Sequence, residues 1–145
     1  MLNPSRYRII AIGKVRKSWI KEGSSLYLKR LNGLTITELR DSNLQKESLS
    51  IQSSLKDNEL VILLSEKGQL LSSISFAHLL KSFETQRLAF VIGGANGVST
   101  EFANRAHTNL SLSPLTFTHD IARLLLLEQL YRAQTILQRT PYHRT

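Results

Sequence analysis

The last residues of the chain contain three side chains that suit a binding or catalytic site. Tyr142, His143 and Arg144 follow Pro141, which ends the helical pattern before them. They offer a stacking ring, a titratable group and a hydrogen-bond donor for a phosphate or a base edge. We therefore predict a functional tail, although the bland alternative is a frayed end, as is common at chain termini.

A glycine-rich turn between a strand pattern and a helix pattern is the second candidate. Gly93, Gly94 and Gly97 form the turn, and Ser99 can cap the helix that follows. Glycine allows the backbone to approach a ligand closely and to adopt positive φ. The spacing G-G-x-x-G is neither the dinucleotide fingerprint nor the P-loop, and glycines at such turns are often only structural. The turn therefore indicates a ligand loop without naming the ligand.

Several other chemistries find no support in the sequence. The histidines His78, His107, His119 and His143 lack metal-ligand spacing, so no metal site is predicted. His119 precedes the last helix pattern, where it can cap that helix or touch a substrate. There is no cysteine, no G-x-S-x-G elbow and no carboxylate pair with catalytic spacing.

The elements that must position these residues follow an alternating pattern of strands and helices. Apolar runs predict strands at 7–13, 34–39, 59–64, 88–94 and 110–117. Helical spacing predicts helices at 17–31, 43–56, 73–87 and 120–138. The rhythm is typical of a mainly parallel α/β sheet, and the absence of repeats or linkers favours one domain over residues 1–145.

The final helix pattern contains four leucines in succession, at positions 124–127. Four consecutive positions span the whole helical circumference, so we expect burial on more than one side. A homodimer interface would provide it. The alternative is a central helix of a monomer.

Charge indicates a polyanionic partner. The chain has 19 Lys plus Arg against 11 Asp plus Glu, a formal charge of +8. Residues 1–30 hold eight basic side chains and only one acid, Glu22. The alternative is a solvated basic face without a partner. No run approaches the roughly 20 apolar residues of a membrane span, and no signal peptide is evident, so we expect a cytoplasmic protein without a membrane partner.

Four blocks of the sequence together resemble a known family. They are RIIAIGKVRKSWIKEGSSLYLKRL at 8–31, FVIGGANGVS at 90–99, LSLSPLTFTHDIARLLLLEQLYRAQTIL at 110–137 and PYHR at 141–144. In this order and spacing they resemble the ribosomal RNA large subunit methyltransferase H family of the SPOUT superfamily. The resemblance covers nearly the whole chain.

The resemblance implies a homodimeric α/β fold with a trefoil knot in its C-terminal half and S-adenosyl-L-methionine bound in the knot. The implied cofactor residues are Leu64, Gly94, Ser113, Pro114, Leu115, Thr116, Phe117 and Thr118. The chain departs from the family's usual residues at Ser65, at Ala95-Asn96 and at Phe117-Thr118. No departure removes a glycine of the turn.

The resemblance also implies the substrate, a pseudouridine in the intersubunit stem-loop of 23S rRNA, presented in the large subunit or the assembled ribosome and methylated at N3. On this hypothesis His143 or a nearby group assists proton loss, Arg144 stabilises charge and Tyr142 positions the base, with one subunit's tail completing its partner's pocket. Phosphate contacts are expected from Arg6, Arg8, Lys14, Arg16, Lys17 and Lys21. The alternatives are a non-catalytic basic module that binds RNA or ribosomes, and a regulatory α/β protein that binds ATP or NAD.

Overall fold

The core of the fold is a parallel sheet of five strands. The loops that follow the strands therefore lie together at the carboxyl ends of the strands. The computed structural model describes residues 2–83 and 85–144. The strands are β1 (Tyr7–Ile12), β2 (Thr35–Leu39), β3 (Glu59–Leu70), β4 (Arg87–Ile92) and β5 (Thr108–Ser111). Their order across the sheet is β2-β1-β4-β3-β5, and each neighbouring pair is parallel. The predicted mainly parallel α/β architecture is confirmed.

Five helices cover the sheet. They are α1 (Ser18–Leu28), α2 (Leu44–Ser54), α3 (Ser73–Ser82), α4 (Thr100–Arg105) and α5 (His119–Gln138), preceded by a short 3-10 turn (Pro4–Arg6). The side chains of Asn43, Ser72 and Ser99 cap α2, α3 and α4 by accepting backbone N–H bonds. The cap predicted at Ser99 is thus confirmed. No helix in the described ranges is both long and apolar enough to cross a membrane.

Both faces of the sheet are buried, because successive strand residues point to opposite sides. Ile9, Ile62 and Phe90 pack on the face covered by α1, α3 and α5. Their neighbours in sequence pack on the other face, against α2 and α4. The strand sequences are therefore apolar throughout, as is usual for parallel sheets. The polar residues that could form a site lie in the loops at the strand ends.

The strand predicted at 110–117 is wrong over most of its length. The strand β5 ends at Ser111, and an irregular loop follows as far as Thr118. Pro114 has no N–H to donate to a ladder, and the alternating pattern there is that of a loop with some buried side chains. The strand β3 instead runs longer than predicted, with a register shift between Leu64 and Gln69. Gly68 permits the close pairing beyond it, because a Cβ there would lie 2.6 Å from the carbonyl carbon of Asn109.

The four consecutive leucines of α5, at 124–127, do not all need a second chain. Leu126 and Leu127 are fully buried in the chain's own core, as the monomer alternative requires. Leu124 and Leu125 are half-buried, and Leu124 packs over Gly23 of α1. Only this second pair is left for an interface between subunits, so the homodimer remains a prediction.

Candidate active site

Two adjoining cavities lie at the carboxyl ends of the strands, the edge where open α/β sheets bind ligands. The larger has a volume of about 860 Å³. Its walls come from the end of β3 at 63–67, the turn after β4 at 92–98 and the loop after β5 at 112–118. The irregular loop that the strand prediction missed is thus one wall of the larger cavity.

Seven of the eight predicted cofactor residues line this larger cavity. They are Leu64, Gly94, Ser113, Leu115, Thr116, Phe117 and Thr118. The eighth, Pro114, lies in the same loop but is exposed and is not part of the wall. The structure therefore brings together residues as distant in sequence as Leu64 and Thr118, which are 54 positions apart.

The glycine turn is held by contacts with its own backbone. A Cβ on Gly93 would lie 2.5 Å from the carbonyl oxygen of Gly97, and the Gly97 N–H donates to the Gly94 carbonyl at 3.0 Å. Gly97 has a φ of 72°, a conformation that favours glycine. The turn is therefore tight, and its residues 93–98 form one wall of the cavity.

The loop after β5 is also ordered by its own polar groups. The Ser111 hydroxyl donates to the Ser113 carbonyl at 2.9 Å, and the Leu115 N–H donates to the Ser113 hydroxyl at 3.0 Å. The Thr116 hydroxyl donates to the Glu66 carboxylate across the cavity. Leu115 itself is 70% exposed, so a large apolar side chain stands at the cavity with nothing packed over it. A bound ligand would give it a partner.

The second cavity, of about 370 Å³, lies on the other side of the glycine turn. Gly94, Ala95, Asn96 and His119 line both cavities. The residues that line only the smaller one are Ile12 at the end of β1, Asp41 and Ser42 after β2, and Glu47 in the first turn of α2. The glycine turn is thus a wall shared by two neighbouring sites.

Glu47 and His119 are the notable side chains of the second cavity. Glu47 is only 5% exposed, and its Oε2 accepts the Ser42 N–H at 2.8 Å. His119 packs across Gly13, with its Cε1 3.3 Å from the position of a Cβ there, and its Nδ1 is buried without a partner among the described residues. Sequence reasoning missed Glu47, because a glutamate in the first turn of a helix reads as ordinary compensation of the helix dipole.

The C-terminal tail is not frayed; it folds back on α5. The Tyr142 hydroxyl donates to the Glu128 carboxylate at 2.8 Å. The Tyr142 ring stands edge-on to Tyr131, with centroids 4.8 Å apart, and the guanidinium of Arg132 lies 4.7 Å from its centre. These contacts rule out the frayed-end alternative for Tyr142.

Charge reinforces this docking. Burial alone would raise the pKa of Glu128, but hydrogen bonds from Arg132 and Tyr142 outweigh it, so the pKa is lowered. Burial and the bonds to Tyr27 and Glu128 raise the pKa of Tyr142, so this phenol stays protonated as a donor. Arg132 Nη1 lies 3.1 Å from His143 Nδ1. A guanidinium can only donate, so Nδ1 accepts and the ring's proton lies on Nε2. In this arrangement His143 has a proton to donate, unlike the proton acceptor that we expected.

The tail and the cavities lie apart within one chain. Neither Tyr142, His143 nor Arg144 lines either cavity. The tail is held at Glu128 and Arg132, whereas the cavity is lined by the start of α5 as far as Ala122. At 1.5 Å per residue, Ala122 and Glu128 are about 9 Å apart along the helix axis. The structure therefore does not combine the predicted catalytic and cofactor residues in a single subunit.

Most of the predicted RNA-contacting residues are available at the surface. Lys14, Arg16, Lys17 and Lys21 are exposed, and Arg6 is half-buried. Lys17 Nζ lies 5.9 Å from the ring centre of Trp19, which is 57% exposed. A hydrogen bond from Thr118 mainly lowers the pKa of Asp120, and the charge of Lys17 contributes. Gly13, directly before the basic segment, packs against His119 of the second cavity. The basic segment at 14–21 therefore begins next to the second cavity.

Arg8 does not fit the RNA-contact prediction. Its guanidinium is paired with Glu59, with Nη2 and Oε1 2.6 Å apart, and it also donates to Thr37 and Ser54. The two charged side chains are 13% and 5% exposed. Arg8 is a structural residue that ties β1 to the start of β3, and we withdraw it from the predicted set.

We expect Arg8→Met to destabilise the fold by roughly 3 kcal/mol, since it leaves a buried carboxylate without its partner. Burial alone would raise the pKa of Glu59, but Arg8 outweighs it and the pKa is lowered. The pair's contribution is therefore present above pH 4.5, the ordinary value, and is lost as the pH falls through the lowered pKa. Urea unfolding at pH 7 and at lower pH measures both effects. Arg8→Met combined with Glu59→Leu should recover most of the loss, and an additive loss would contradict the pairing.

Comparison with known proteins shows to which family the chain belongs. Residues 5–143 match the family described as Predicted SPOUT methyltransferase. The chain is 62% identical over 144 residues to ribosomal RNA large subunit methyltransferase H of Prochlorococcus marinus (strain MIT 9211), covering 99% of both chains. It is 61% identical over 143 residues to the protein of the same name from Synechococcus sp. (strain CC9311), again covering 99% of both.

Solved structures agree on the fold. A probable methylase family protein from Haemophilus influenzae Rd KW20 matches with a TM-score of 0.60 at 18% identity, over 98% of this chain and 72% of that one. A probable methyltransferase from Bordetella pertussis Tohama I matches with a TM-score of 0.57 at 14% identity, over 90% and 97% of the two chains. With its parallel sheet, its cavity at the strand ends and these relatives, the chain belongs to the SPOUT methyltransferases and, among them, to the ribosomal RNA large subunit methyltransferase H family.

Proposed function

We propose that the chain methylates large-subunit ribosomal RNA, at N3 of a pseudouridine in the intersubunit stem-loop of 23S rRNA. SPOUT methyltransferases use S-adenosylmethionine, which is therefore the chain's cofactor. The observation that carries the proposal is the larger cavity, which gathers seven of the eight residues expected to hold this cofactor. The printed name of the relatives at about 60% identity supports the choice of RNA.

The residues of the larger cavity suit the cofactor. Its volume of about 860 Å³ lies in the upper part of the range for small-molecule sites. The exposed backbone of the glycine turn and of the loop at 112–118 offers N–H and carbonyl groups for an adenine edge and an amino-acid group. Leu64, Leu115 and Phe117 supply apolar surface for the remainder. Together these residues would hold the cofactor in the larger cavity.

The chemistry needs alignment and the loss of one proton. When bound, the cofactor would supply a methyl carbon for attack by the base nitrogen, and the carbon–sulfur bond would break with its electron pair remaining on sulfur. The protein must align the nitrogen with that carbon and accept the N3 proton. His119 is the only histidine lining either cavity in the described ranges, and it lies at their junction. We assign the proton to His119.

The tail acts, in this proposal, from the second subunit of a homodimer. Its distance from the cavity within one chain and the half-buried Leu124 and Leu125 support this arrangement. Tyr142 would position the base, and Arg144 would stabilise charge on a flanking carbonyl. His143 would donate a hydrogen bond from its Nε2–H to the same carbonyl, rather than accept a proton. The trefoil knot and a cytoplasmic location, where ribosomes are assembled, belong to the same proposal.

The exposed basic segment would hold the RNA. Lys14, Arg16, Lys17 and Lys21, with Arg6, would contact phosphates and so position the substrate without selecting the base. Trp19 offers an exposed ring on which an unpaired base can stack.

The triple variant Lys14→Ala, Arg16→Ala and Lys17→Ala should weaken RNA binding and flatten its salt dependence. Each lost phosphate contact lowers the slope of log affinity against log salt by about one, so the expected change is about three. Affinity for S-adenosylmethionine should be unchanged. Titrating the stem-loop RNA at several salt concentrations checks the slope. Lys29→Ala with Arg30→Ala is the matched control, and an equal loss there would point to charge alone rather than a docking segment.

One assay tests the proposed function itself. Large subunits or assembled ribosomes are incubated with the protein and labelled S-adenosylmethionine, and methyl transfer is mapped to the nucleotide. Cofactor binding with transfer to the pseudouridine is expected. RNA binding without transfer or cofactor affinity would favour a non-catalytic binding module, and affinity for ATP or NAD in place of the cofactor would favour a regulatory protein.

A further inference from the structure

We infer that the second cavity holds the target base and that Glu47 Oε1 accepts the N1–H of pseudouridine, the hydrogen that distinguishes this base from uridine. The inference rests on the proposed function, because it names the specificity residue of that same reaction.

The arrangement of the two cavities places the base. We place the reacting nitrogen and the methyl group where the two cavities adjoin, beside residues 94–96 and His119, which line both. The rest of the base then lies among the residues that line only the second cavity. Its volume of about 370 Å³ is at the small end of ligand sites, which suits a single pyrimidine ring rather than a second cofactor.

The two oxygens of Glu47 differ in their partners. Oε2 accepts the Ser42 N–H, whereas Oε1 has no donor among residues 2–83 and 85–144. Oε1 lies against the shared wall, 2.9 Å from the position that a Cβ on Gly94 would take. Oε1 therefore faces the cavity without a protein donor, so a ligand N–H at this place would pair with it in place of water. Asp41 lines the same cavity but is exposed, so it remains open to bulk solvent.

The position of the cavity relative to the basic segment supports a nucleic-acid ligand. Ile12 lines the cavity, Gly13 packs against His119, and the exposed cations begin at Lys14. A nucleotide whose base enters the cavity would therefore carry its phosphates towards that segment. The acidic cavity itself disfavours a phosphate, which leaves the base as the part that enters.

Base chemistry explains what the free oxygen selects. Pseudouridine is joined to ribose through C5 rather than N1. Relative to the ribose, its ring is therefore that of uridine rotated by half a turn about the line through N3 and C6, which exchanges the positions of N1 and C5. N3 keeps its place and faces the methyl group in both bases. N1–H of pseudouridine then occupies the position of C5–H in uridine. A carboxylate oxygen at that position is paired by pseudouridine and left unpaired by uridine.

The test compares wild-type protein with Glu47→Gln on large subunits that carry either pseudouridine or uridine at the target. We expect wild-type kcat/KM to favour pseudouridine by at least about a hundredfold, as is typical when an analogue lacks a hydrogen-bonding group. In the variant, the Ser42 N–H still requires an acceptor, and the oxygen of the side-chain amide takes that role. The amide nitrogen then lies at the place that Oε1 has in the wild type. A donor would then face N1–H, and the preference should fall to within about tenfold.

Controls separate the role of Glu47 from general damage. Glu101→Gln changes an exposed carboxylate on α4 and should keep the full preference. Affinity of Glu47→Gln for S-adenosylmethionine should match the wild type. If Glu47→Gln fails to fold, wild-type protein with 1-methylpseudouridine at the target replaces it. This base carries a methyl group in place of the N1 hydrogen and should be methylated at least about a hundredfold more slowly than pseudouridine.

The outcomes distinguish the inference from the proposed function. A wild-type protein that binds the cofactor but methylates neither particle contradicts the proposed function. Methylation of pseudouridine with an undiminished preference in Glu47→Gln overturns only the role of Glu47. Equal wild-type rates on pseudouridine and uridine, or on pseudouridine and 1-methylpseudouridine, overturn the inference as well.

Discussion

Gly94→Val is expected to abolish detectable methyl transfer. A Cβ at this position would lie 2.9 Å from Glu47 Oε1 and 3.1 Å from Ile12 Cγ2, and the two further carbons of valine have no room on that side. The turn must therefore shift into the larger cavity, where the cofactor is proposed to bind. Calorimetric titration with S-adenosylmethionine should show no binding, and the variant's circular dichroism should match the wild type.

Gly94→Ala provides the graded comparison. Its single Cβ meets the far end of the Glu47 side chain, which can move, so part of the cofactor affinity should remain. A folded Gly94→Val protein with wild-type affinity would contradict the assignment of the cavity. The reason for the glycine also differs from our expectation, because the crowding comes from Glu47 and Ile12 rather than from the ligand.

Removing residues 142–145 is expected to lower the single-turnover rate of methyl transfer by about a hundredfold or more, since a base-positioning ring and electrostatic stabilisers are lost together. Cofactor affinity should be unchanged, because neither Tyr142, His143 nor Arg144 lines the larger cavity. Most RNA affinity should also remain. Rates on ribosomal particles, measured beside separate RNA and cofactor affinities, check all three statements.

The two variants can be combined to test the shared site. In a mixed dimer, the chain without a tail keeps an intact cavity, and the Gly94→Val chain keeps an intact tail. If the tail acts on the cavity of the other subunit, mixing two inactive proteins should restore up to one active site per mixed dimer. Absence of recovery in dimers proved mixed by sedimentation and mass would place the tail's action elsewhere. A wild-type rate in the truncated protein would make the tail irrelevant to transfer.

The sheet and the helix cap at Ser99 were predictable because they depend on local sequence. The apolar run of β4, the turn of three glycines and the cap at Ser99 follow one another within a dozen residues, and each signal agrees with the next. The segment at 110–117 failed because alternation of apolar and polar residues also describes a loop that lines a cavity. Pro114 was the local signal against a strand there.

The charged residues were harder to predict, since their roles depend on partners that are distant in sequence. Nothing near Arg8 shows that Glu59 will meet it 51 residues later. In sequence, Glu47 looks like any glutamate in the first turn of a helix. Its role depends on the turn at Gly94, which the sheet positions next to it. The docking of Tyr142 on Glu128 depends on the chain reversing after Arg139, where φ is 58°. Such contacts are decided by tertiary structure, so composition and spacing could indicate the residue types but not their pairing.

The wall shared by the two cavities also has a thermodynamic consequence. In the proposed arrangement, cofactor and target base would contact the same few residues, so occupancy of one site would change the free energy of filling the other. Such linkage is reciprocal: the factor by which the cofactor alters RNA affinity must equal the factor by which RNA alters cofactor affinity. The affinity of the isolated protein for S-adenosylmethionine is therefore one side of a thermodynamic cycle. The cofactor affinity of the ribosome-bound protein differs from it by this coupling factor.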